Sequence, residues 1–140
     1  MTTDAGSTQT RRIICIQDEA ALLNILNVVV TRNFEYVEFL GAGTGELGLG
    51  LIANTRPDLI ILDDILPGMG GIEVLQRLKG SSDQRHVPVL MMTARYEPDY
   101  PARLLELGAN DYITVPFSPR ELPDMISTLL GWPITLPHGG

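Results

Sequence analysis

Short apolar runs alternate five times with longer stretches of helical periodicity along this chain. The apolar runs are rich in Ile, Val and Leu, and they predict β-strands at residues 12–16, 36–40, 59–62, 87–92 and 111–114. The stretches that follow them repeat apolar residues every three or four positions and predict helices at residues 19–33, 44–54, 71–79, 100–107 and 118–130. Strand and helix therefore alternate along the whole pattern.

This alternation predicts the fold class. Strands that are apolar along their whole length are covered on both faces, and strands joined by helices over short connections form a parallel sheet with right-handed crossovers. The sequence therefore predicts a doubly wound α/β domain with a five-stranded parallel sheet over residues 11–131. We expect the small polar residues 1–10 to be a flexible leader and residues 132–140 to be a C-terminal tail.

Residues that commonly mark helix ends support these boundaries. Ser118, Pro119 and Glu121 predict an N-cap, a first-turn proline and a capping-box acid for the last helix. Gly108 and Gly131 follow the fourth and fifth predicted helices, where glycine commonly ends a helix. We therefore expect the last helix to begin at Ser118 and both helices to end at a glycine.

Composition and charge exclude several classes of protein. A chain of 140 residues, 44% of them apolar, is long enough for one domain with its own core. A formal charge of -7 argues against direct binding to nucleic acid. The apolar runs are far shorter than the ~18 residues of a membrane span, and residues 1–10 lack a secretory signal, so we expect a cytoplasmic location. The single Cys15 excludes an internal disulfide and is predicted to be buried.

Polar residues follow three of the predicted strands, at the points where the strands end. Gln17 and Asp18 follow the first strand, Asp63 and Asp64 the third, and Thr93 the fourth. Ligands of an open parallel sheet bind beyond the carboxyl ends of its strands. Carboxylates gathered there repel one another unless a proton or a hard cation such as Mg²⁺ offsets their charge. The alternative is that the acids cap the following helix or turn and that Thr93 is a turn hydroxyl.

Four stretches of the sequence resemble the receiver domain of two-component response regulators. They are I-I-C-I-Q-D-E, R-P-D-L-I-I-L-D-D-I-L-P-G-M-G-G-I-E-V-L, V-P-V-L-M-M-T-A-R and G-A-N-D-Y-I-T-V-P-F-S-P-R-E-L, and the resemblance extends over residues 12–130. It implies a flavodoxin-like sheet of strand order 2-1-3-4-5. It also implies a phosphoacceptor signalling domain rather than an enzyme, with at most self-phosphotransfer and autodephosphorylation.

The resemblance implies roles for the residues at the strand ends. Asp63 resembles the phosphoacceptor, which attacks a phosphohistidine or a small acyl phosphate. Asp18 resembles the acidic Mg²⁺ ligand, and Ile65 would offer its backbone carbonyl to the same ion. Gln17 stands where the family has a second acid, and it would reach the metal only through water. A carboxylate can serve as a covalent nucleophile, and the metal offsets the charge of the transferring group.

The same resemblance implies a conformational switch and partners. Thr93 is similar to the hydroxyl residue that contacts the phosphoryl group, and Tyr112 to the aromatic residue that changes rotamer with it. For Tyr112 the alternative is an ordinary half-buried strand aromatic. The implied partners are a histidine kinase or phosphotransfer protein, and a downstream protein that docks on the fourth and fifth helices. A homodimer remains open.

The family's usual lysine before the proline of the fifth strand is replaced by Val115. Arg95 is the nearest candidate by sequence for a substitute charge, with a solvated loop arginine as the alternative. In the family's usual site, three acids and one lysine sum to a charge of -2. Asp18 and Asp63 alone also sum to -2, so the changes at Gln17 and Val115 cancel in net charge, which favours a retuned metal site. The resemblance also implies that the Val115–Pro116 peptide is cis.

Two other functions remain as alternatives. The loss of the lysine is compatible with a receiver-like interaction module that works without phosphorylation. Gly43, Gly45 and Gly48 match a dinucleotide-binding fingerprint with Asp63 about twenty residues further on. That motif follows an edge strand if the order is 2-1-3-4-5, so a dinucleotide-binding fragment is disfavoured. The glycines are instead expected to mark a loose second helix, since each interior glycine costs ~1 kcal/mol relative to alanine.

Overall fold

Five strands and five helices follow one another in the predicted order in the computed structural model, which describes residues 10–135. The strands are β1 (Arg11–Ile16), β2 (Val37–Ala42), β3 (Leu59–Asp63), β4 (Val89–Thr93) and β5 (Asp111–Thr114). The helices are α1 (Ala20–Asn33), α2 (Gly45–Thr55), α3 (Gly71–Gly80), α4 (Asp99–Glu106) and α5 (Glu121–Leu130). The predicted leader, except Thr10, and residues 136–140 of the predicted tail lie outside the described residues.

The strands form one sheet of order β2-β1-β3-β4-β5, and every neighbouring pair is parallel. This confirms the predicted doubly wound fold and the strand order implied by the resemblance. The edge position of β2 also removes the dinucleotide-binding interpretation, because the glycine motif follows that strand.

The predicted start of the last helix was wrong. Helix α5 begins at Glu121 with Arg120 at its N-cap, three residues after Ser118. The backbone N–H of Ser118 still donates to Oε1 of Glu121 at 2.9 Å, which is the acid's contact in a capping box. Here this contact closes a turn that precedes the helix. Gly131 has a φ of 73° directly after α5, and Gly108 has a φ of 112° after α4, as the helix-end pattern predicted.

The sheet separates two apolar layers. Successive side chains of a strand point to opposite faces, so alternate residues of β1 and β3 enter different layers. Ile16 and Leu62 belong to the layer under α2, α3 and α4, whereas Cys15 and Ile61 belong to the layer under α1 and α5. Cys15 is fully buried, as expected, and burial together with the nearby Asp63 charge raises the pKa of its thiol. This thiol is a neutral packing group.

The glycines of α2 mark close packing, so the expectation of a loose helix was wrong. A Cβ at Gly48 would overlap the Cδ1 and Cγ1 atoms of buried Ile16 on β1. A Cβ at Gly45 would lie 2.7 Å from Cγ2 of Val74 on α3. The helix therefore lies directly against the sheet and its neighbouring helix, at distances that only glycine permits.

The described part of the tail lies against the end of α1. Trp132 packs edge-on against Phe34, with 5.9 Å between the ring centroids, and the guanidinium of Arg11 lies 4.8 Å from the Trp132 ring centroid. The backbone N–H of Thr135 donates to the carbonyl of Asn33 at 2.8 Å. Within residues 10–135, no helix has both the length and the apolar character that crossing a membrane requires.

We expect Gly48→Ala to lower the free energy of unfolding by about 1–3 kcal/mol, because the added methyl group overpacks the contact with Ile16. Gly50→Ala is the matched control in the same helix, since Gly50 is exposed and a Cβ there has open space. This control should gain up to about 1 kcal/mol from helix propensity. Urea unfolding measures both values, and equal effects of the two substitutions would contradict the close packing of α2.

Candidate functional site

The carboxyl ends of β1 and β3 bring Gln17 and Asp63 into contact. Ile16 is paired with Leu62, so the next residue of each strand lies beside the other. Nε2 of Gln17 donates to Oδ2 of Asp63 at 2.7 Å, and Oε1 of Gln17 accepts the backbone N–H of Glu19 at 2.9 Å. Gln17 is buried, and its amide holds the Asp63 carboxylate from the side of β1.

The second oxygen of Asp63 is held by the backbone that follows β3. The N–H of Ile65 donates to Oδ1 of Asp63 at 3.2 Å, while the Ile65 side chain is exposed. Partial burial is the main reason that the pKa of Asp63 is raised to about 6, and the neighbouring Asp64 raises it further. The hydrogen bonds from Ile65 and Gln17 act in the opposite direction. With a pKa near 6, Asp63 is mostly ionised at neutral pH.

The start of α3 lies directly against this strand end. A Cβ at Gly71 would overlap the backbone carbonyl of Asp63 and approach Cα of Asp64 to 2.6 Å. The backbone N–H of Gly71 donates to the carbonyl of Asp64 at 3.1 Å. Gly71 therefore lets the first turn of α3 fix the backbone at both acids.

Asp18 is exposed at the same edge, directly after Gln17. The structure does not gather three or more His, Cys, Asp or Glu side chains into a metal-binding group anywhere in residues 10–135. A site made of the Asp18 and Asp63 carboxylates and the Ile65 carbonyl offers oxygen donors alone. Mg²⁺ is usually bound through one or two carboxylates while it keeps several waters, so this donor set fits that ion.

Thr93, at the end of β4, is buried and bonds to Asp64. Its hydroxyl donates to Oδ2 of Asp64 at 2.9 Å and accepts the backbone N–H of Arg95 at 3.0 Å. The Tyr100 hydroxyl on α4 donates to the same Oδ2 atom at 2.6 Å. We call Asp64, Thr93 and Tyr100 the Asp64 cluster.

No role was predicted for Asp64 or Tyr100 from the sequence. Strand alternation could have placed Asp64, because it follows Leu62 by two residues and Thr93 follows Met91 by two, on the same side of the sheet. Tyr100 had no comparable signal. The count of -2 from Asp18 and Asp63 was therefore incomplete, since Asp64 adds a third carboxyl group to this edge.

Val115 and Tyr112 lie on or beside β5. Val115 packs against the layer under α1 and α5 and brings no charge to the edge. Its backbone N–H donates to the Thr93 carbonyl at 2.8 Å, and its own carbonyl accepts the Tyr96 hydroxyl at 2.7 Å. The Val115–Pro116 peptide is cis, as the resemblance implied. Tyr112 is half-buried against the layer under α2, α3 and α4.

Arg95 contacts the loop and helix that follow β4. Its Nε atom lies 3.0 Å from Oε1 of Glu97, and its guanidinium lies 4.1 Å from the centroid of the Tyr100 ring. The side chain is exposed. The structure thus places Arg95 over the Asp64 cluster.

Comparisons with known proteins identify the family of this chain. Residues 13–127 match the family model of the response regulator receiver domain. The phosphate regulon transcriptional regulatory protein PhoB of Escherichia coli is 41% identical over 121 residues, which are 86% of this chain and 52% of PhoB. The DNA-binding response regulator MtrA of Mycobacterium tuberculosis is 38% identical over 115 residues, 82% of this chain and 48% of MtrA. The chain spans about half the length of these curated relatives.

Solved structures share the fold. A CheY-like receiver domain protein from Methanospirillum hungatei is 28% identical with a TM-score of 0.78, covering 88% of this chain and 95% of that one. The receiver domain of a signal transduction histidine kinase from Syntrophus aciditrophicus is 30% identical with a TM-score of 0.78, covering 87% of this chain and 91% of that one. Because the family model covers most of the chain and the fold agrees, this chain belongs to the response regulator receiver domain family of two-component signalling.

Proposed function

We propose that this chain accepts a phosphoryl group on Asp63 in the presence of Mg²⁺ and relays a two-component signal through a conformational switch. The observation that carries the proposal is the arrangement of the Asp63 carboxylate, which is held by Gln17 and by the backbone of Ile65 at the carboxyl edge of the sheet. Because its pKa is about 6, Asp63 is mostly an ionised nucleophile at neutral pH.

The proposed reaction is a single displacement at phosphorus. A carboxylate oxygen of Asp63 forms a bond to the phosphorus of a phosphohistidine or acyl phosphate. The bond from phosphorus to the leaving group breaks, and its electron pair departs with the leaving group. Asp63 then carries an acyl phosphate. Ile65 and Gln17 orient the carboxylate before attack, which supplies part of the rate by positioning.

The carboxylates of Asp18 and Asp63 and the carbonyl of Ile65 are the groups that would hold Mg²⁺. When bound, this ion offsets negative charge on the transferring group. Gln17 positions Asp63 in this proposal, because its amide oxygen already accepts the Glu19 N–H. This differs from the expected contact through water.

Val115 leaves the proposed reaction without the usual lysine. A charge pair at ~4 Å and an effective dielectric near 20 is worth roughly 4 kcal/mol before desolvation, so phosphorylation should be slower than in lysine-containing receivers. Arg95 is the proposed substitute, and its guanidinium would have to leave Glu97 and the Tyr100 ring to reach the phosphoryl group.

The proposed phosphoryl transfer to Asp63 requires a donor and a downstream partner. A histidine kinase or phosphotransfer protein would donate the phosphoryl group, and a downstream protein would dock on α4 and α5. A cavity of about 910 Å³ beside α4, lined by Arg95, Tyr100, Arg103 and Glu106 among others, supports docking at this helix. We also propose a cytoplasmic location for this chain. The proposed function is compatible with a monomer and with a homodimer.

The second candidate function is a receiver-like interaction module that works without phosphorylation. Two observations favour it. The side chain of Val115 is apolar and packs, partly buried, against the layer under α1 and α5, and the Thr93 hydroxyl is bonded to Asp64. A labelling experiment distinguishes the two functions.

We expect acetyl phosphate and Mg²⁺ to label the wild-type chain on Asp63 and on no other residue, as measured by intact mass and peptide mapping. Val115→Lys should speed labelling roughly tenfold, because the added charge stabilises the transferring group. Arg95→Ala should slow labelling, and Asp63→Asn should abolish it.

Asp83→Asn is the control, since Asp83 lies in an exposed turn before the amino end of β4, whereas the site lies at the carboxyl ends of the strands. Its labelling rate should equal that of the wild type. If neither the wild type nor Val115→Lys is labelled while both still bind Mg²⁺, the interaction module is the correct function.

The raised pKa of Asp63 makes stability depend on pH. The unfolded chain has an ordinary pKa near 3.8 at this residue, whereas the folded value is about 6. The contribution of Asp63 is therefore complete below pH 3.8 and is lost as pH rises through 6. In EDTA, Asp63→Asn should be more stable than the wild type at pH 7 by about 1 kcal/mol, after a discount for solvent screening.

Urea unfolding between pH 4 and pH 8 measures this difference. The difference in free energy of unfolding between Asp63→Asn and the wild type should be smallest at pH 4. It should grow up to about pH 7 and stay constant above that pH. Added Mg²⁺ should shrink the difference at pH 7 by stabilising the ionised wild type. A difference that is constant with pH, with Asp83→Asn as the reference, would contradict the raised pKa.

A further inference from the structure

The Asp64 cluster is a buried arrangement of one carboxylate and two hydroxyls. Oδ2 of Asp64 accepts the Thr93 hydroxyl at 2.9 Å and the Tyr100 hydroxyl at 2.6 Å. Asp64 is 7% exposed, and its Oδ1 atom is buried without a hydrogen-bond partner in the described structure. Both hydrogen bonds of this carboxylate therefore converge on one oxygen.

A threonine hydroxyl has a single proton to donate. In this structure Thr93 gives that proton to Asp64. A phosphoryl group on Asp63 would present oxygens that only accept, so Thr93 could donate to them only by leaving Asp64. The two hydrogen bonds exclude each other.

The two acids also lie on different sides of β3. Alternation places Asp63 with Ile61, on the side of α1 and α5, and Asp64 with Leu62, on the side of α2, α3 and α4. Thr93 follows Met91 by two residues and so lies on the side of Asp64. A move of the hydroxyl from Asp64 to a group on Asp63 is therefore a reorientation of the Thr93 side chain.

The backbone at Asp64 is held on both sides, which limits how far its carboxylate can follow Thr93. Its backbone N–H donates to the Met92 carbonyl at 3.1 Å, and its carbonyl accepts the Gly71 N–H at 3.1 Å. Tyr100 is held in turn by Arg95, whose guanidinium covers its ring. When Thr93 leaves, the Asp64 carboxylate keeps only the Tyr100 bond, and loss of a hydrogen bond to a charged group corresponds to about tenfold or more in an equilibrium constant.

We infer that Asp64 is a positioning residue that holds the Thr93 hydroxyl away from Asp63, so that a phosphoryl group on Asp63 has to compete with a carboxylate already present in the protein. The competition between a phosphoryl group and Asp64 for the Thr93 hydroxyl rests on the proposed function. The hydrogen bond by which Asp64 holds Thr93 does not depend on that function. Asp64 thereby sets how strongly phosphorylation drives the switch.

The hold on Thr93 is tested without any phosphoryl donor. The backbone N–H of Arg95 donates to the Thr93 hydroxyl, so its hydrogen exchange reports on the position of that hydroxyl. Asp64→Asn should speed exchange of the Arg95 amide at least about threefold, and Asp83→Asn should leave it unchanged. Equal exchange rates in Asp64→Asn and the wild type overturn the hold on Thr93.

The competition is tested with beryllium trifluoride, a phosphoryl analogue that binds carboxylates, in the presence of Mg²⁺. Amide chemical shifts of residues 93–97 give its dissociation constant. Asp64→Asn should bind the analogue about tenfold more tightly, because a neutral amide oxygen holds the Thr93 hydroxyl less strongly than a carboxylate does. Tyr100→Phe should bind it more weakly, because Asp64 then depends on Thr93 for its one remaining hydrogen bond. The phenyl ring of this variant keeps the contact with Arg95.

Opposite signs for the two variants separate positioning from a structural effect, which would weaken binding in both. The gain of Asp64→Asn should also vanish in a Thr93→Ala background, and a gain that persists there overturns the inference. If Asp64→Asn does not fold, as judged by circular dichroism, Tyr100→Phe decides together with Thr93→Ala. Weaker binding in Tyr100→Phe that disappears in a Thr93→Ala background supports the inference, and any other result overturns it. If the wild type binds no analogue and is not labelled, the proposed function fails, while the exchange experiment still decides the hold on Thr93.

Discussion

The parallel pairing of β1 with β3 runs through the middle of the sheet, and it places Gln17 against Asp63 because Ile16 is paired with Leu62. A parallel register cannot slip by one residue without exchanging the two faces of a strand that is buried on both sides. The apolar residues of both layers therefore enforce the register. The same packing that stabilises the core orients the Asp63 carboxylate at the edge, through the Gln17 amide on one side and the Ile65 backbone on the other.

Strand alternation then divides the chemistry of the edge into two groups. Asp63 and Gln17 form the side that faces α1 and α5, and Asp64 and Thr93 form the side that faces α2, α3 and α4. A carboxylate therefore stands on each side of the edge, and Val115 brings no positive charge to offset them. Hydrogen bonds stabilise each acid instead, from an amide and a backbone N–H at Asp63 and from two hydroxyls at Asp64.

Close backbone contacts support this edge. Gly71 allows the first turn of α3 to lie on the backbone of Asp63, and Gly48 allows α2 to lie on Ile16 of β1. Both contacts place a helix on the central strands with no room for a Cβ atom. The acids therefore stand on rigid backbone, and in the proposed switch it is the Thr93 side chain beside Asp64 that reorients.

The sequence by itself determined the fold class, the order of the elements and most of their bounds, because apolar periodicity and strand-to-helix alternation are local properties of the chain. Its resemblance to receiver domains supplied the strand order and the cis peptide at Val115. Errors arose where local signals compete. Ser118 is a good N-cap residue, yet α5 begins at Glu121, and the glycines of α2 indicated looseness where they permit contact.

Tertiary structure alone decided which polar groups meet. Asp64 directly follows Asp63 in the sequence, and only the pairing of β3 with β4 and the packing of α4 bring Thr93 and Tyr100 to it. Likewise, nothing in the sequence indicated that Arg95 would lie over Tyr100. A side-chain hydrogen bond between distant residues depends on register, helix position and rotamer together, and a single chain position encodes none of these.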